Sequence, residues 1–387
     1  MQTQVGIVGA GPAGLLLSHL LHLAGIESVV LEQRSQADVE STVRAGVLEQ
    51  GTVDLLCAVG IGERLRREGA VHHGIELRFN GRAHRIPLSE LTKGRCITLY
   101  AQHEVLKDLI AARLAAQGTV LFESNVGAIH ASDSLQPALR YEHRGRFEQL
   151  RCDFVVGCDG FHSLVRAAIP AAARREYQTT YPFGWLGILL VAPRLAPELI
   201  YARHARGFAL VSSRSATLQR LYFQCDPQER VGNWPDEKIR DELQRRLNTH
   251  DGWSLGEGAI VQKDVVAMRS FVCETLRHGR LLLAGDSAHI VPPTGAKGMN
   301  LALNDVRLLA HALDEFYRSG RETELLKYPE KCLERVWRAQ RFSWWMTSML
   351  HRFNDDDLYH HRLQLAELEN VVNSRAAATA LAEDYVG

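Results

Sequence analysis

The sequence of 387 residues predicts a mixed α/β (α+β) protein with a Rossmann-like domain, a β-rich domain and a C-terminal helical region. Three observations predict this order. A strand–glycine turn–helix–strand pattern opens the chain, residues 181–225 contain several strand-like runs without helices between them, and the pattern from Asn300 onward is helical. The expected domains are 1–175 (completed by 280–300), 176–290 and 291–387.

The opening stretch has the features of a dinucleotide-binding turn. Residues 5–8 form a short apolar strand, residues 15–24 an apolar helix, and residues 28–31 a second strand that ends on Glu32. Between the first strand and the helix lie three glycines: Gly9, Gly11 and Gly14. The first permits a tight turn, the second lets a pyrophosphate approach the backbone, and the third lets helix and strand pack closely. Glu32 stands where a carboxylate accepts hydrogen bonds from ribose hydroxyls, although the motif fits NAD, NADP and FAD alike.

Composition excludes several classes of protein. The 45 basic and 45 acidic residues balance and form no long run of one sign, so neither a nucleic-acid nor a membrane partner is expected. The N-terminus lacks the features of a signal peptide, and the apolar runs are too short to span a bilayer. The seven cysteines are scattered without a C-x-x-C pair, which predicts no metal site and a reducing, cytoplasmic location.

Further elements are predicted in order along the chain. We expect a helix over residues 47–58, a hairpin over 74–86 closed by Asn80-Gly81, and a helix over 102–116. Phe154 begins an apolar strand that ends in a turn, and residues 281–286 resemble a buried strand of a parallel sheet.

Two later motifs each follow one of these strands. The first is Cys158-Asp159-Gly160 and the second is Gly285-Asp286, continued by a glycine-rich stretch to Asn300 that opens a helix. An aspartate at a strand end can bind a ribose or ribitol hydroxyl, and a glycine-rich helix start can hold a flavin edge through backbone N–H groups. Each motif alone is more often a simple turn. Three dinucleotide-type signals in one chain are not expected by accident.

A second hairpin, over residues 208–224, gathers polar side chains on one strand face. Pairing about Thr217 would place Arg214 opposite Arg220 and Ser212 opposite Tyr222. Two arginines, a hydroxyl and a phenol suit a planar anionic ligand, because a guanidinium grips a carboxylate through two parallel hydrogen bonds. The alternative is a solvated strand face with scattered charges, and the residues alone leave the two about even.

The sequence resembles the flavoprotein aromatic hydroxylases over essentially its whole length. Besides the opening glycine turn, the resemblance is carried by four stretches: residues 44–51, 181–187, 285–300 and 342–348. It implies FAD, NADH or NADPH as electron donor, molecular oxygen and a homodimer, with the C-terminal helices as the expected interface. It also implies that the substrate is 4-hydroxybenzoate, hydroxylated at the 3-position by a hydroperoxide of the reduced flavin.

The resemblance implies the site residues as well. Ser212, Arg214 and Tyr222 would bind the substrate carboxylate, and Arg220 would lie near the flavin. A free phenol has a pKa near ~10, so the site must help remove its proton. A chain for that proton would run from Tyr201 through Tyr385 to His72 near solvent, and the carbonyl of Pro293 would face the substrate hydroxyl. The implied flavin contacts are Glu32, Arg44, Gln102, Asp159, Asp286, Lys297, Gly298, Met299 and Asn300.

Without the resemblance, two of these residues would be interpreted differently. His72 would be a surface histidine beside His73, and Tyr385 part of a frayed tail.

The stretch after Glu32 bears on the electron donor. Where NADPH-using members of the resembled family carry Arg, Tyr and Arg, this sequence has Gln33, Asp38 and Thr42. Asp38 would repel a 2′-phosphate and can accept a hydrogen bond from a free 2′-hydroxyl, whereas Arg34 argues the other way. We therefore expect NADH to serve at least as well as NADPH. The remaining implied nicotinamide contacts do not discriminate: His162, Arg166 and Arg269.

Other readings of the sequence remain open at this point. They are a hydroxylase for another substituted benzoate, a plain NAD-dependent dehydrogenase, and a non-catalytic flavin-binding protein. A yellow protein that consumes oxygen and nicotinamide only when an aromatic acid is added would separate a hydroxylase from the last two.

Overall fold

A computed structural model describes residues 1–42, 46–130, 134, 136–353 and 358–387. The strands are β1 Gln2–Val8, β2 Ser28–Leu31, β3 Val47–Glu49, β4 Ala70–His72, β5 Ile75–Phe79, β6 Arg82–Ile86, β7 Ile97–Leu99, β8 Thr119–Leu121, β9 Ser124–His130, β10 Ala138–His143, β11 Arg146–Gly157, β12 Glu176–Val191, β13 Leu199–His204, β14 Gly207–Ser213, β15 Leu218–Cys225, β16 Ala259–Cys273, β17 Arg277–His278, β18 Leu281–Leu283 and β19 His289–Ile290.

The helices of the described residues are α1 Pro12–Leu23, α2 Gln36–Ser41, α3 Gln50–Ala58, α4 Gly62–Glu68, α5 Leu88–Leu91, α6 Gln102–Ala115, α7 Leu164–Ala168, α8 Asp236–Leu247, α9 Gly298–Ser319, α10 Thr323–Leu350, α11 Leu358–Asn373 and α12 Arg375–Val386. Short 3₁₀ turns lie at Ala171–Ala173, Val231–Asn233, Gly285–Ser287 and Pro293–Gly295. None of the described helices is both long and apolar enough to cross a membrane.

The first sheet has the order β17-β18-β11-β1-β2-β8, in which β18, β11, β1, β2 and β8 are parallel, and β10 and β9 are attached through β11. β1 pairs in parallel with both β2 and β11, and β18 pairs in parallel with β11. The apolar residues of these strands form one core with α1 and α9. The parallel arrangement places the carboxyl ends of β1, β2, β11 and β18 along one edge, where a doubly wound sheet binds its ligands.

The second sheet has the order β19-β16-β12-β15-β14-β13-β5-β6 and buries both of its faces. Alternate residues such as Leu186, Ile188 and Leu221 pack with α8 on one face. The other face, including Trp185 and Tyr201, packs with α10, α11 and α12. Because side chains alternate along a strand, each strand contributes to both layers. A small third sheet, β3-β7-β4, completes the mixed α/β fold that the sequence predicts.

Two local predictions need correction. Residues 47–49 are a strand rather than the start of a helix, because they pair with β7 and the helix begins only at Gln50. The 74–86 hairpin is confirmed, with Asn80 and Gly81 both at positive φ in its turn.

The register of the hairpin between β14 and β15 also differs from the prediction. Ser212 lies opposite Arg220, and Leu210 lies opposite Tyr222. The turn is centred on Ala216 rather than on Thr217, and the N–H groups of Thr217 and Leu218 both donate to Ser215 Oγ. A shift of two residues keeps every side chain on its predicted face, whereas a shift of one would reverse it.

Candidate active site

One row of side chains crosses five strands of the second sheet on the face that packs with α10–α12. Strand pairing places Tyr201 beside Leu210, Leu210 beside Tyr222, Tyr222 beside Gly187, and Gly187 beside Asp264. Directly opposed residues in antiparallel strands share a face. The sheet therefore brings two phenols and a carboxylate into one line.

The neighbouring row holds the Ser212–Arg220 pair on the same face, with Arg214 just beyond the end of β14. Burial lowers the pKa of the Arg214 guanidinium; the nearby Tyr222 phenol raises that pKa and Arg220 lowers it. Arg220 Nη2 donates to Asp264 Oδ1 at 2.7 Å, and its guanidinium carbon lies 4.8 Å from the centre of the Tyr222 ring. Four residues named from the sequence are thus gathered at one place: Ser212, Arg214, Arg220 and Tyr222.

Five polar atoms of this group lack partners. Ser212 Oγ, and the Nε and Nη1 atoms of both Arg214 and Arg220, are buried without a hydrogen bond. A buried donor left unpaired costs ~1–3 kcal/mol, and more when it is charged. Five such atoms in one cluster indicate a site built for an anionic, hydrogen-bonding ligand.

The Tyr201 and Tyr385 hydroxyls lie 2.5 Å apart and either can be the donor. Both rings are buried, and burial raises the pKa of Tyr201 to about 12 and that of Tyr385 well above its usual value. Both phenols are therefore neutral near pH 7 and can pass a proton by exchanging hydrogen-bond roles. The C-terminal helix α12 delivers Tyr385, so this residue is not part of a frayed tail.

The prediction that His72 lies near solvent is wrong. His72 ends β4 with 2% of its surface exposed, and neither ring nitrogen has a hydrogen-bond partner. Burial lowers its pKa to about 4, so the imidazole is neutral near pH 7. Pro293 is exposed and begins a 3₁₀ turn, in which its carbonyl accepts a hydrogen bond from Ala296 N–H at 3.0 Å. The second lone pair of that carbonyl remains for another donor.

The glycine turn has the geometry that a dinucleotide requires. Gly9 has φ of +102°, and a Cβ there or at Gly14 would collide with backbone oxygen. A Cβ at Gly11 would meet nothing within 4 Å, so the space beside this glycine is open. The N-terminus of α1 has no side-chain cap. Its free N–H groups and positive dipole end suit a pyrophosphate.

Acidic residues stand at the ends of the parallel strands. The Glu32 carboxylate follows β2, accepts Ala10 N–H at 2.8 Å and is paired with Arg34. After β11, Asp159 Oδ2 accepts Leu164 N–H at 2.7 Å, whereas its Oδ1 is buried without a partner. After β18, Asp286 lies exposed in a 3₁₀ turn. An unpaired carboxylate oxygen and an exposed aspartate at this edge suit the hydroxyls of a sugar chain.

Two helix starts complete this edge. Gln102 is the first residue of α6, and Lys297 precedes α9; neither helix has a side-chain cap. The early N–H groups of α9, from Gly298, Met299 and Asn300, therefore remain for a ligand. The side chains of Lys297 and Asn300 make contacts within the protein. Lys297 is buried and pairs with Glu49 at 2.7 Å, and the Asn300 amide bonds the backbone of Val47 and Glu49. Arg44 lies outside the described residues.

The residues named for the nicotinamide fall into two groups. Arg34, Asp38 and Thr42 surround α2: Arg34 donates to Glu32 and to Thr42, while Asp38 is held by the helix-capping Ser35. The others surround Phe161, which the sequence did not single out. His162 packs edge-on to that ring at 5.0 Å, and the Arg166 and Arg269 guanidiniums stack over it at 5.4 Å and 4.4 Å.

Sequence reasoning also missed three other residues of the substrate region. Asp264 belongs to no motif identified in the sequence, and only the pairing of the strands shows that it faces Arg220. Gly187 gives that ion pair room, since a Cβ there would lie 2.5 Å from Arg220 Nη2. His351 is stacked between aromatic rings and accepts a hydrogen bond from Trp185 Nε1 at 2.7 Å. Only the spacing of alternate residues on β12 could have indicated Gly187 in advance.

The sequence matches the family described as "FAD binding domain" over residues 2–343. The p-hydroxybenzoate hydroxylase of Acinetobacter baylyi is 48% identical over 387 residues, which covers 100% of this chain and 96% of that protein. A probable NADH-specific resorcinol 4-hydroxylase of Rhodococcus jostii is 26% identical and covers 85% of this chain and 64% of that protein.

The fold has a close counterpart among solved structures. The p-nitrophenol 4-monooxygenase of Pseudomonas putida DLL-E4 superposes with a TM-score of 0.84, covering 100% of this chain and 99% of that one at 19% identity. The open glycine turn, the uncapped helix starts and the unpaired Asp159 oxygen fit the phosphates and sugar hydroxyls of FAD. The full-length identity and the family match together show that the chain belongs to the FAD-dependent flavoprotein aromatic hydroxylases.

Proposed function

We propose that this monooxygenase hydroxylates 4-hydroxybenzoate at its 3-position, giving 3,4-dihydroxybenzoate with NADH or NADPH and O2. The observation that carries the proposal is the cluster of unpaired buried donors on Ser212, Arg214 and Arg220, beside the paired phenols of Tyr201 and Tyr385. A carboxylate at one end of the ligand and a phenol at the other match these two polar groups. The name and full-length coverage of the Acinetobacter relative support the same substrate.

The residues of the chain would divide the work as follows. Arg214 and Ser212 hold the carboxylate, and Tyr222 and Arg220 line the same face. Tyr201 accepts the proton of the substrate hydroxyl as it passes its own hydroxyl proton to Tyr385, which the hydrogen bond between the two phenols permits. His72, whose buried imidazole has no hydrogen-bond partner, would stand at the end of this chain, as the resemblance implies. Bound FAD would supply the redox chemistry, taking hydride from the nicotinamide and activating oxygen for transfer to the ring.

Because the site is buried, we expect the activated oxygen to be transferred to the ligand rather than lost to water. Tyr201, Tyr385 and Ser212 are all buried, so a ligand held between them is shielded from solvent. Removing the phenolic proton makes the ring more nucleophilic, which transfer of an electrophilic oxygen requires. This division of labour rests on positions in the fold and on the proposed substrate together.

The test is oxygen uptake and product analysis with the purified flavoprotein. We expect 4-hydroxybenzoate to stimulate nicotinamide oxidation strongly and to yield 3,4-dihydroxybenzoate. The competitors 2,4-dihydroxybenzoate and 4-aminobenzoate share the polarity of the site and belong in the same panel. Preference for a different benzoate would mean that 4-hydroxybenzoate is not the substrate. A yellow protein without turnover would reject the enzymatic proposal.

We also propose a homodimer that uses α10 as part of its interface. Leu326, Trp337 and Trp344 lie on one face of this helix, and Trp344 is 56% exposed. Tyr177 packs edge-on to Trp337 and extends the apolar surface. Sedimentation of the wild type and of Trp344→Lys should give a dimer and a weakened dimer. A wild-type monomer would reject the proposal.

The seven free cysteines favour the reducing cytoplasm as the location of the protein.

A further inference from the structure

The ion pair between Arg220 and Asp264 joins a buried side chain of the second sheet to a partly exposed one. The Arg220 side chain is 6% exposed and that of Asp264 is 35% exposed, with 2.7 Å between Nη2 and Oδ1. The pair crosses β12 at Gly187, where a Cβ would lie 2.5 Å from Arg220 Nη2 and 2.9 Å from Asp264 Oδ1. The residue between the partners is thus the one that leaves them room to meet.

The charges of the site do not cancel completely. Arg214 and Arg220 contribute two positive charges, and Arg220 is paired with Asp264. Among the described residues Arg214 has no ion-pair partner, and its closest polar influences are Tyr222 and Arg220. One guanidinium is therefore balanced inside the protein and one is left for the ligand. The cluster has a net charge that matches a single carboxylate.

We propose that Asp264 determines which ligand charge the site accepts, by balancing Arg220 so that monoanionic benzoates are favoured over dianionic ones. Asp264 acts through Arg220 as a positioning residue, and this role rests on the proposed function of the site. Without the Asp264 charge, the two guanidiniums would present two uncompensated charges to the ligand. Each negative charge on the ligand is repelled by the Asp264 carboxylate. Removing the Asp264 charge should therefore strengthen binding more for a ligand with more negative charge.

The test compares three ligands of one shape class in the holoenzyme: neutral 4-hydroxybenzamide, monoanionic 4-hydroxybenzoate and dianionic 4-hydroxyphthalate. Dissociation constants are measured from the change in flavin absorbance or fluorescence for wild type and for Asp264→Asn. Asparagine keeps the size of the side chain and an oxygen that accepts from Arg220 but removes the charge. Each ligand serves as its own steric reference, since only the ratio between proteins is used.

The expected pattern is graded. The amide should bind both proteins equally, the monoanion should gain about fivefold in Asp264→Asn, and the dianion should gain about 25-fold, as expected for a partly exposed charge. Asp236→Asn is the matched control, because it removes a carboxylate paired with Lys263, the residue before Asp264 on β16. That variant should leave all three constants unchanged.

Three outcomes would overturn the inference: equal shifts for all three ligands, no shift for any, or the same graded pattern in Asp236→Asn. Equal shifts would mean that Asp264 acts only by holding the structure. Asp264→Glu, which keeps the charge, should retain the wild-type order, and Asp264→Ser, which also removes the charge, replaces Asp264→Asn if that variant does not fold. Failure of wild type to bind 4-hydroxybenzoate would instead reject the proposed function, so the two failures are distinct.

Discussion

At the scale of single residues, we expect ligand binding to depend most on the guanidinium of Arg214. Its Nε and Nη1 are buried without partners, so a carboxylate would relieve an existing cost as well as add new bonds. A planar fork suits that role because two of its N–H groups can reach both oxygens of one carboxylate.

Arg214→Lys should weaken binding of 4-hydroxybenzoate by roughly one to two decades, because it keeps the charge but loses a charge-assisted hydrogen bond worth ~1.5–3 kcal/mol. The measurement is a ligand titration of the flavin spectrum. The exposed Arg245 offers the control, and Arg245→Lys should bind as wild type does. Unchanged affinity in Arg214→Lys would remove this residue from the carboxylate site.

Tyr201→Phe should spare binding but uncouple the reaction. The substrate hydroxyl would lose its hydrogen-bonded route to Tyr385, and the ring would stay less nucleophilic. Nicotinamide oxidation should continue while the yield of hydroxylated product falls and hydrogen peroxide rises. Tyr359→Phe, at an exposed position, is the control. Full coupling in Tyr201→Phe would show that the proton leaves by another route.

At the scale of elements, the glycine turn between β1 and α1 separates a ligand contact from a packing contact. Gly11 faces open space, whereas a Cβ at Gly14 would collide with the Gly9 carbonyl oxygen. The same residue type therefore serves two physical purposes three residues apart.

Gly11→Ala should leave the apoprotein as stable as wild type and lower its affinity for FAD. Gly14→Ala should instead destabilise the apoprotein, by ~1–3 kcal/mol as for other overpacked sites. Thermal unfolding of the apoproteins and FAD titration by fluorescence distinguish the two effects. If Gly11→Ala destabilises the apoprotein as much as Gly14→Ala does, the assignment of open ligand space to Gly11 is wrong.

We expect the donor preference to depend on one short element, the helix α2 with its flanks. Asp38 and Thr42 lie on it or next to it, and Arg34 is already engaged by Glu32 and Thr42. We expect the ratio of kcat/KM for NADH over NADPH to be one or greater. Asp38→Tyr with Thr42→Arg should move it toward NADPH. A wild-type preference for NADPH above about tenfold, ~1.4 kcal/mol, would reject the argument.

At the scale of the whole molecule, two buried histidines link stability to pH. Burial lowers the pKa of His72 to about 4 and that of His351 to about 3. The unfolded chain, with a histidine pKa near ~6.5, binds these protons first as the pH falls. The stabilising contribution is therefore complete above pH ~6.5 and is lost progressively toward pH 4.

Each histidine should thus cost about 2 kcal/mol of unfolding free energy between pH 7 and pH 5, at ~1.36 kcal/mol per unit. His72→Leu should remove that part of the difference, whatever it does to stability at pH 7. Urea unfolding at the two pH values measures it, with His311→Asn at an exposed position as control. An unchanged difference in His72→Leu would mean that His72 is not held neutral in the fold.

The sequence by itself determined the parallel first sheet, the glycine turn, and the shared face of Ser212, Arg220 and Tyr222. These depend on local rules: apolar strands, positive φ at glycine and the two-residue period of a strand, which survived a two-residue error in register. The resemblance added Tyr385 and decided in favour of a ligand site, rather than a solvated strand face, at Arg214.

Only the tertiary structure decided that His72 is buried, that Tyr385 reaches Tyr201, and that Asp264 faces Arg220. Tyr201 and Tyr385 lie 184 positions apart in the chain, and Arg220 and Asp264 lie 44 apart. Contacts of that kind depend on which strands and helices pack together. No local pattern of charge or hydrophobicity records that choice, because the same residues would look identical on a solvated surface.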